Sequence, residues 1–204
     1  MKNETAGMQA ILKVAEELFL ERGYAGTTMS MIKQRAGVSH ALIFYHFESK
    51  EKLFSIIFKE KVELLASSFF SSVDTNKSVS EIIETAVGRH FDFVRANPRD
   101  ALFILAEMNS NTKSQNIWRE ISSPITSELM AILKAKMQRE IAEGKIANID
   151  PLNYLLTLLS LNIFPFIARP LVMNTRKLTK KQLSAFLEER KRENVRLALL
   201  ALQP

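Results

Sequence analysis

Thr28-Met29-Ser30-Met31-Ile32-Lys33-Gln34-Arg35-Ala36-Gly37-Val38-Ser39-His40-Ala41-Leu42-Ile43-Phe44-Tyr45-His46-Phe47 decides how this chain folds. Thr27 and Thr28 offer side-chain oxygens as N-caps for a helix over Met29–Ala36. Gly37 supplies the positive φ that a tight turn needs, and Ser39 caps a second short helix ending near Phe47. Ala36 is small enough to let the two helices cross closely. Two short helices joined in this way have the helix-turn-helix layout, whose second helix is free to enter a major groove. At about 100° per residue, Ile43 and Phe47 share one face and, with Val38, are expected to pack inward. Ala41, Leu42 and Tyr45 fall opposite, with His40, Phe44 and His46 on the flanks. Leucine and tyrosine on a solvent face make sense if that face meets DNA. Ala41 and Leu42 then approach thymine methyls, while His40 and Tyr45 reach base edges or phosphates. Lys50 adds a second signal. It stands in the first turn of the next helix, where a cation opposes the helix dipole by about 0.3–1 kcal/mol, unless a phosphate docks there. Spacing alone leaves another reading open: an ordinary helix pair inside a helical protein, with Leu42 and Tyr45 touching other segments.

The flanking chain is also helical in pattern. Met8, Ile11, Leu12, Ala15, Leu18 and Phe19 repeat at helical spacing, and Gly23 is placed to end that helix in a left-handed cap. Ser49 caps a longer helix from Lys50 to about Ser72. Ser78-Val79-Ser80-Glu81 reads as a capping box for a helix that stops at Asn97-Pro98. Another helix covers about Arg99 to Ser110. The stripe Ile117, Ile121, Ile125, Leu129, Ile132, Met137 and Ile141 ends at Gly144, and Pro124 is expected to kink or divide it. Asp150-Pro151 opens an apolar helix through Ala168, bent near Pro165. Thr179 to Gln182 is a second capping box, followed by a last stripe of Leu183, Phe186, Leu187, Val195, Ala198 and Leu202. No period-2 pattern persists, so the expected class is all-α.

The 204 residues are 47% hydrophobic and 25% charged, a globular balance with enough chain for a core. Cysteine is absent, which excludes a disulfide framework, a thiolate metal site and a cysteine nucleophile. A reducing cytoplasm fits. Met1 to Gly7 is polar and the next stretch amphipathic, so no signal peptide is expected. Leu152 to Ala168 approaches the ~17–25 residues of a spanning helix. Asn153, Thr157, Ser160, Asn162 and Pro165 interrupt it, and a buried or interface helix is expected, with no membrane. The net charge of +6 owes much to the stretch from Arg176 to Arg196, so the DNA argument rests on particular residues rather than on total charge. His40, His46 and His90 are the only histidines. There is no HExxH, no nucleophile elbow with a partner and no phosphate-cradling glycine loop, and nothing places a base beside Glu107 or Glu120. An enzyme is not expected; neither are catalytic residues, a metal or a cofactor.

Four runs occur in order: Gly26-Thr27-Thr28-Met29-Ser30-Met31-Ile32, Ala36-Gly37-Val38-Ser39, Phe44-Tyr45-His46-Phe47 and Lys50-Glu51-Lys52-Leu53. In this combination, residues from about Met8 to Phe58 resemble the DNA-binding domain of the tetracycline-repressor (TetR-like) family of transcription regulators. The rest of the chain resembles that family only in length and helical plan. The resemblance implies an N-terminal three-helix helix-turn-helix domain, residues 1–48, and a larger helical ligand-binding and dimerisation domain, residues 49–204. It implies that Thr28 caps a helix and touches phosphate. His40, Ala41 and Tyr45 would face the groove, and His46 and Lys50 would hold backbone phosphates. Ser39 and Leu42 complete the expected DNA surface. Three positions depart from the family pattern. Phe44 stands where a phosphate-contacting tyrosine is usual, Ala41 where glycine is common, and Lys33 where alanine is usual. Lys33 either covers apolar surface with its stem or adds a phosphate contact.

The implied partners are double-stranded, pseudo-palindromic operator DNA, a second copy of the chain, and a small-molecule effector. A dimer suits a single short recognition helix, whose two copies read major grooves ~34–36 Å apart. The expected dimer face takes Leu155, Leu159, Phe166, Leu183, Phe186, Leu187, Val195 and Ala198. The expected effector lining takes Phe69, His90, Phe91, Val94, Phe103, Met108, Trp118, Met137 and Phe164, large adaptable side chains that serve equally well as plain core. His90 falls on or beside the apolar face of its helix with Val87, Phe91 and Val94. It either hydrogen-bonds a ligand or is a core histidine satisfied by a carbonyl. The expected function is a repressor released by an apolar or amphipathic ligand. The alternative is a DNA-binding regulator with no small-molecule inducer, constitutive or controlled by a protein partner.

Overall fold

The computed structural model describes the backbone of residues 2–70, 74, 76–110 and 112–204, and their side chains except 2–6, 70, 121–126, 128, 129 and 176. Helices follow in the order α1 (Lys2–Gly26), α2 (Met29–Ala36), α3 (His40–Phe47), α4 (Lys50–Phe70), α5 (Val79–Ala96), α6 (Pro98–Ser110), α7 (Thr112–Ala142), α8 (Pro151–Ile167), α9 (Arg169–Arg176) and α10 (Lys180–Leu200). No strand occurs among the described residues, and the fold is all-α. The chain forms two compact units. One takes Met1–Glu63 and Leu102–Ile121, the other Leu64–Ala101 and Ser122–Pro204. The sequence signal divides after residue 48, whereas the unit that holds the helix-turn-helix also takes the start of α4 and residues 102–121.

In the first unit, α1 packs on both α2 and α3. Ile11, Ala15, Phe19, Ile32, Ile43, Leu53, Phe54 and Phe58 are fully enclosed. An aromatic ladder ties the later segment in. The Phe54 ring lies 5.3 Å from those of Phe19 and Phe58, and Phe103 meets Phe54 and Phe58 edge-on at 6.1 and 5.8 Å. Each such side chain contributes about 1.5–3 kcal/mol by leaving water. Gly23 breaks α1 with φ 67° and ψ 178°. The positive φ was expected there. The extended ψ was not, and it makes a kink rather than a left-handed cap.

In the second unit, α5, α8 and α10 pack on one another around Val79, Ile82, Ile83, Ala86, Val87, Met137, Leu158 and Ala198. Both expected capping boxes form, at Ser78 with Glu81 and at Thr179 with Gln182. Asp150 caps α8 by accepting the Asn153 N–H at 2.8 Å. The expected end of the Lys50 helix near Ser72 lies outside the described residues; α4 is described to Phe70. Position 124 does not divide α7, which continues as one helix to Ala142. The bend expected near Pro165 falls three residues later, at Ala168, where α8 and α9 diverge by 52°. Proline has no N–H to give the carbonyl four residues back. That carbonyl, on Leu161, instead accepts the Asn194 side-chain amide at 2.7 Å. The helix therefore passes Pro165 intact.

No single helix among the described residues is long and apolar enough to cross a membrane; only the bent pair of α8 and α9 reaches that length and composition together.

Candidate nucleic-acid interface

The Thr28 hydroxyl caps α2 by accepting the Met31 N–H at 3.2 Å. Gly37 ends α2 at φ 64° and ψ 29°, and its N–H returns to the Lys33 carbonyl. Ser39 then caps α3 by accepting the Leu42 N–H at 3.2 Å. Thr27 is not a cap. It is fully buried, with its hydroxyl 2.9 Å from the Gly23 carbonyl and 3.1 Å from that of Leu18.

Helix α3 turns Ile43 and Phe47 into the unit and leaves Val38 half-buried. Its other side is open. His40 and Ala41 are exposed, and Tyr45 is 75% exposed, the most open of the large apolar and aromatic side chains. Leu42, expected on the open face, is half-buried. Its Cδ2 lies 3.4 Å from where a Cβ on Gly7 would stand, so the first turns of α1 lean on it. Phe44 is 40% exposed, and its ring lies 4.5 Å from that of His40, tilted by 53°. The Tyr45 and His46 rings meet edge-on at 5.1 Å. His46 is half-buried, and its Nε2 is enclosed without a hydrogen-bond partner among the described residues. Lys33 is exposed.

Lys50 does more than sit at a helix start. Its ammonium donates to the carbonyls of Tyr24 and Thr27, both at 2.9 Å, and lies 4.0 Å from the centroid of the Tyr24 ring. Two of its three N–H bonds are thereby used, and the amine is held beside the turn that carries Thr28. Tyr24, Glu51 and Glu107 were missed by sequence reasoning. The Tyr24 hydroxyl donates to Glu51 Oε1 at 2.5 Å, and its backbone N–H donates to Glu107 Oε1 at 2.8 Å. Burial, then the Glu51 hydrogen bond and charge, push the Tyr24 phenol up to about 12, so it stays a neutral donor. The same bond holds the Glu51 carboxyl below the usual carboxylate range. Glu107 lies 83 positions from Tyr24, and no local pattern could have paired them.

The other expected surfaces are redistributed. Phe166, Leu183, Leu187 and Ala198, expected on a dimer face, are buried within the second unit itself, because α5, α8 and α10 need those faces for their own core. Leu155 and Val195 pack against that core, and Leu159 and Phe186 are half-buried. Among the described residues, the exposed large apolar side chains of this unit are Leu64, Leu152, Leu156, Phe164, Ile167, Leu171 and Leu200. Phe164, expected to line an effector cavity, is 63% exposed. With Leu156, Leu161, Val172, Phe186 and Arg190 it borders an open groove of about 660 Å³. The other expected lining residues fall in different units. Phe103, Met108 and Trp118 belong to the first; Phe69, His90, Phe91, Val94 and Met137 belong to the second. Within the second, Phe69, His90, Phe91, Val94 and Met137 are all buried in packed core. His90 Nδ1 lies 3.1 Å from the Asn162 amide nitrogen, which also donates to the Val87 carbonyl at 2.9 Å. Asn194 donates to Asn162 Oδ1 at 3.0 Å, while its own Oδ1 is enclosed without a partner among the described residues. Desolvation lowers His90 to about 4, so it is neutral at physiological pH.

A capped two-helix turn that offers one exposed helix face from an all-helical chain has the helix-turn-helix layout of DNA-binding proteins. Residues 11–56 match the family described as "Bacterial regulatory proteins, tetR family". That segment is similar to the family's DNA-binding region, and the chain shares the fold of tetR-family regulators. It is 26% identical over 167 residues to the HTH-type transcriptional repressor AcnR of Corynebacterium glutamicum, covering 81% of this chain and 82% of that protein. It is 33% identical over 84 residues to the HTH-type transcriptional activator FasR of Mycolicibacterium smegmatis, a match that spans 41% of this chain and only 38% of that protein. The solved structure of a tetR-family regulatory protein from Rhodococcus RHA1 superposes with a TM-score of 0.72 at 17% identity, over 97% of each chain.

Proposed function

We propose that this protein is a sequence-specific transcriptional repressor that binds pseudo-palindromic operator DNA as a homodimer in the cytoplasm. The observation that carries the reading is the open face of α3, where Tyr45 stands 75% exposed while Ile43 and Phe47 hold the other face inside. His40, Ala41 and Tyr45 read base edges, with Leu42 contributing its uncovered edge. Thr28, Lys33, Ser39, His46 and Lys50 meet phosphates, Lys50 through its third N–H. Repression is favoured over activation because the match to a named repressor runs through most of the chain, whereas the match to a named activator is confined to 84 residues.

The second copy seats on the exposed side chains Leu156, Phe164 and Ile167, with the groove beside Phe186 and Arg190 at its edge. An apolar or amphipathic effector binds better to a dimer state whose recognition helices are mis-spaced, and α4, which carries residues of both units, is the lever. Operator then weakens effector binding by the same factor. One observation favours the reading without an inducer: Phe69, Phe91, Val94 and Met137 are already enclosed by their own core.

The test is DNA affinity against salt. A protein with this phosphate surface loses affinity steeply, with a slope near −0.9 per phosphate contact in log affinity against log salt. Lys50→Ala binds all sequences more weakly and with a shallower slope. An affinity indifferent to salt in the unaltered protein removes the proposal.

A further inference from the structure

Glu107 is a buried carboxylate with a partner far away in sequence. It sits on α6, in the stretch that joins the first unit. Gly23 breaks α1 with a positive φ, and at that break Glu107 Oε1 accepts the Tyr24 N–H at 2.8 Å. Glycine permits the approach: a Cβ at position 23 would stand 2.8 Å from the same oxygen, closer than real Cβ contacts come. Tyr24 is also where Lys50 is held, by its carbonyl at 2.9 Å and its ring at 4.0 Å, with the Thr27 carbonyl completing the cradle. The next residue, Thr28, caps α2. One carboxylate therefore touches the segment that carries Thr28 and holds Lys50, two candidate phosphate-contacting side chains.

We propose that Glu107 is a positioning residue for DNA binding: by holding the Tyr24 N–H it sets the Gly23–Thr28 turn, and through the Tyr24 and Thr27 carbonyls it aims the Lys50 ammonium at phosphate. The inference rests on the DNA-binding reading above. It assigns Glu107 no contact with DNA. The acceptor oxygen matters, because the group it holds is a neutral backbone N–H; an amide oxygen in its place keeps the geometry.

The experiment measures salt-dependent affinity for a selected duplex with the full chain and with E107Q and E107L, each below its melting transition. The unaltered protein comes first. If it binds no DNA, the functional reading has failed and not this one. Given binding, E107Q retains affinity and slope. E107L loses about tenfold in affinity, and its slope flattens by about 0.9, the share of one phosphate contact. A merely stabilising role would lower the melting temperature and leave the slope alone. Unchanged affinity and slope in folded E107L overturns the proposal, and so does E107Q behaving like E107L. Should E107L not fold, hydrogen exchange of the Tyr24 amide in the unaltered protein decides. Slow exchange that slows further on DNA supports the latch; exchange at the rate of an open loop, or unchanged by DNA, overturns it.

Discussion

Gly37 and Gly23 both have positive φ, yet the structure gives them different tolerances. A Cβ at Gly37 meets nothing within 4 Å, so only the left-handed backbone resists substitution. Gly37→Ala should lower stability by about 1–2 kcal/mol in urea denaturation at fixed protein concentration. At Gly23 the extended ψ of 178° and the Glu107 oxygen add to the strain, and Gly23→Ala should lower it by about 3 kcal/mol or more. Equal losses would contradict the packing described at Gly23. The contrast also marks what the residues alone could tell. The inward Ile43 and Phe47, the caps at Thr28 and Ser39 and the turn at Gly37 follow from spacing and side-chain chemistry within a few positions. The Lys50 cradle does not, because it joins Lys50 to carbonyls 26 and 23 positions away, beside a Tyr24 N–H held by a carboxylate 83 positions away.

Among the elements, α5, α8 and α10 are pinned by one buried polar chain. His90, Asn162, Asn194 and the carbonyls of Val87 and Leu161 are joined by hydrogen bonds where Pro165 has freed a carbonyl, with Asn194 Oδ1 left over. An apolar helix with a proline reads from sequence as a bend, whereas α8 continues past Pro165, with the freed Leu161 carbonyl taken by the cross-helix amide of Asn194. The chain also sets a pH dependence. His90 falls from 6.5 unfolded to about 4 folded, so below pH 6.5 the unfolded state takes up the proton first. Stability is then full above about pH 6.5 and drains as pH falls towards 4, by about 2 kcal/mol between pH 7 and pH 5. The carboxyls held low, Glu51, Glu81, Glu143 and Glu193, also lose stability with acid, but mostly below pH 5. His90→Gln should flatten the profile between pH 7 and 5 in urea denaturation. An unchanged slope would mean His90 is accessible to protons in the folded state.

Taken as a whole molecule, the chain leaves apolar side chains outside where a second copy would cover them. Phe164 is the sharpest case, 63% exposed and so unneeded by its own core. Phe164→Glu should leave the melting of the protomer nearly unchanged, shift sedimentation from dimer to monomer, and weaken DNA binding because two half-sites are no longer read together. Leu183 and Leu187 mark the apolar stripe of α10, and that stripe is spent on the inner core. A hydrophobic stripe shows which face of a helix is buried, not whether the chain itself or a partner buries it.

The proposed role of α3 is to read DNA through Tyr45 and its neighbours. Selection of bound duplexes from random sequence, with the unaltered protein and with Tyr45→Ala side by side, tests it most directly. The account predicts paired half-sites about one helical turn apart for both proteins, with the Tyr45→Ala variant accepting different bases inside each half-site. Identical base preferences in the two, or no enrichment by the unaltered protein, would contradict it.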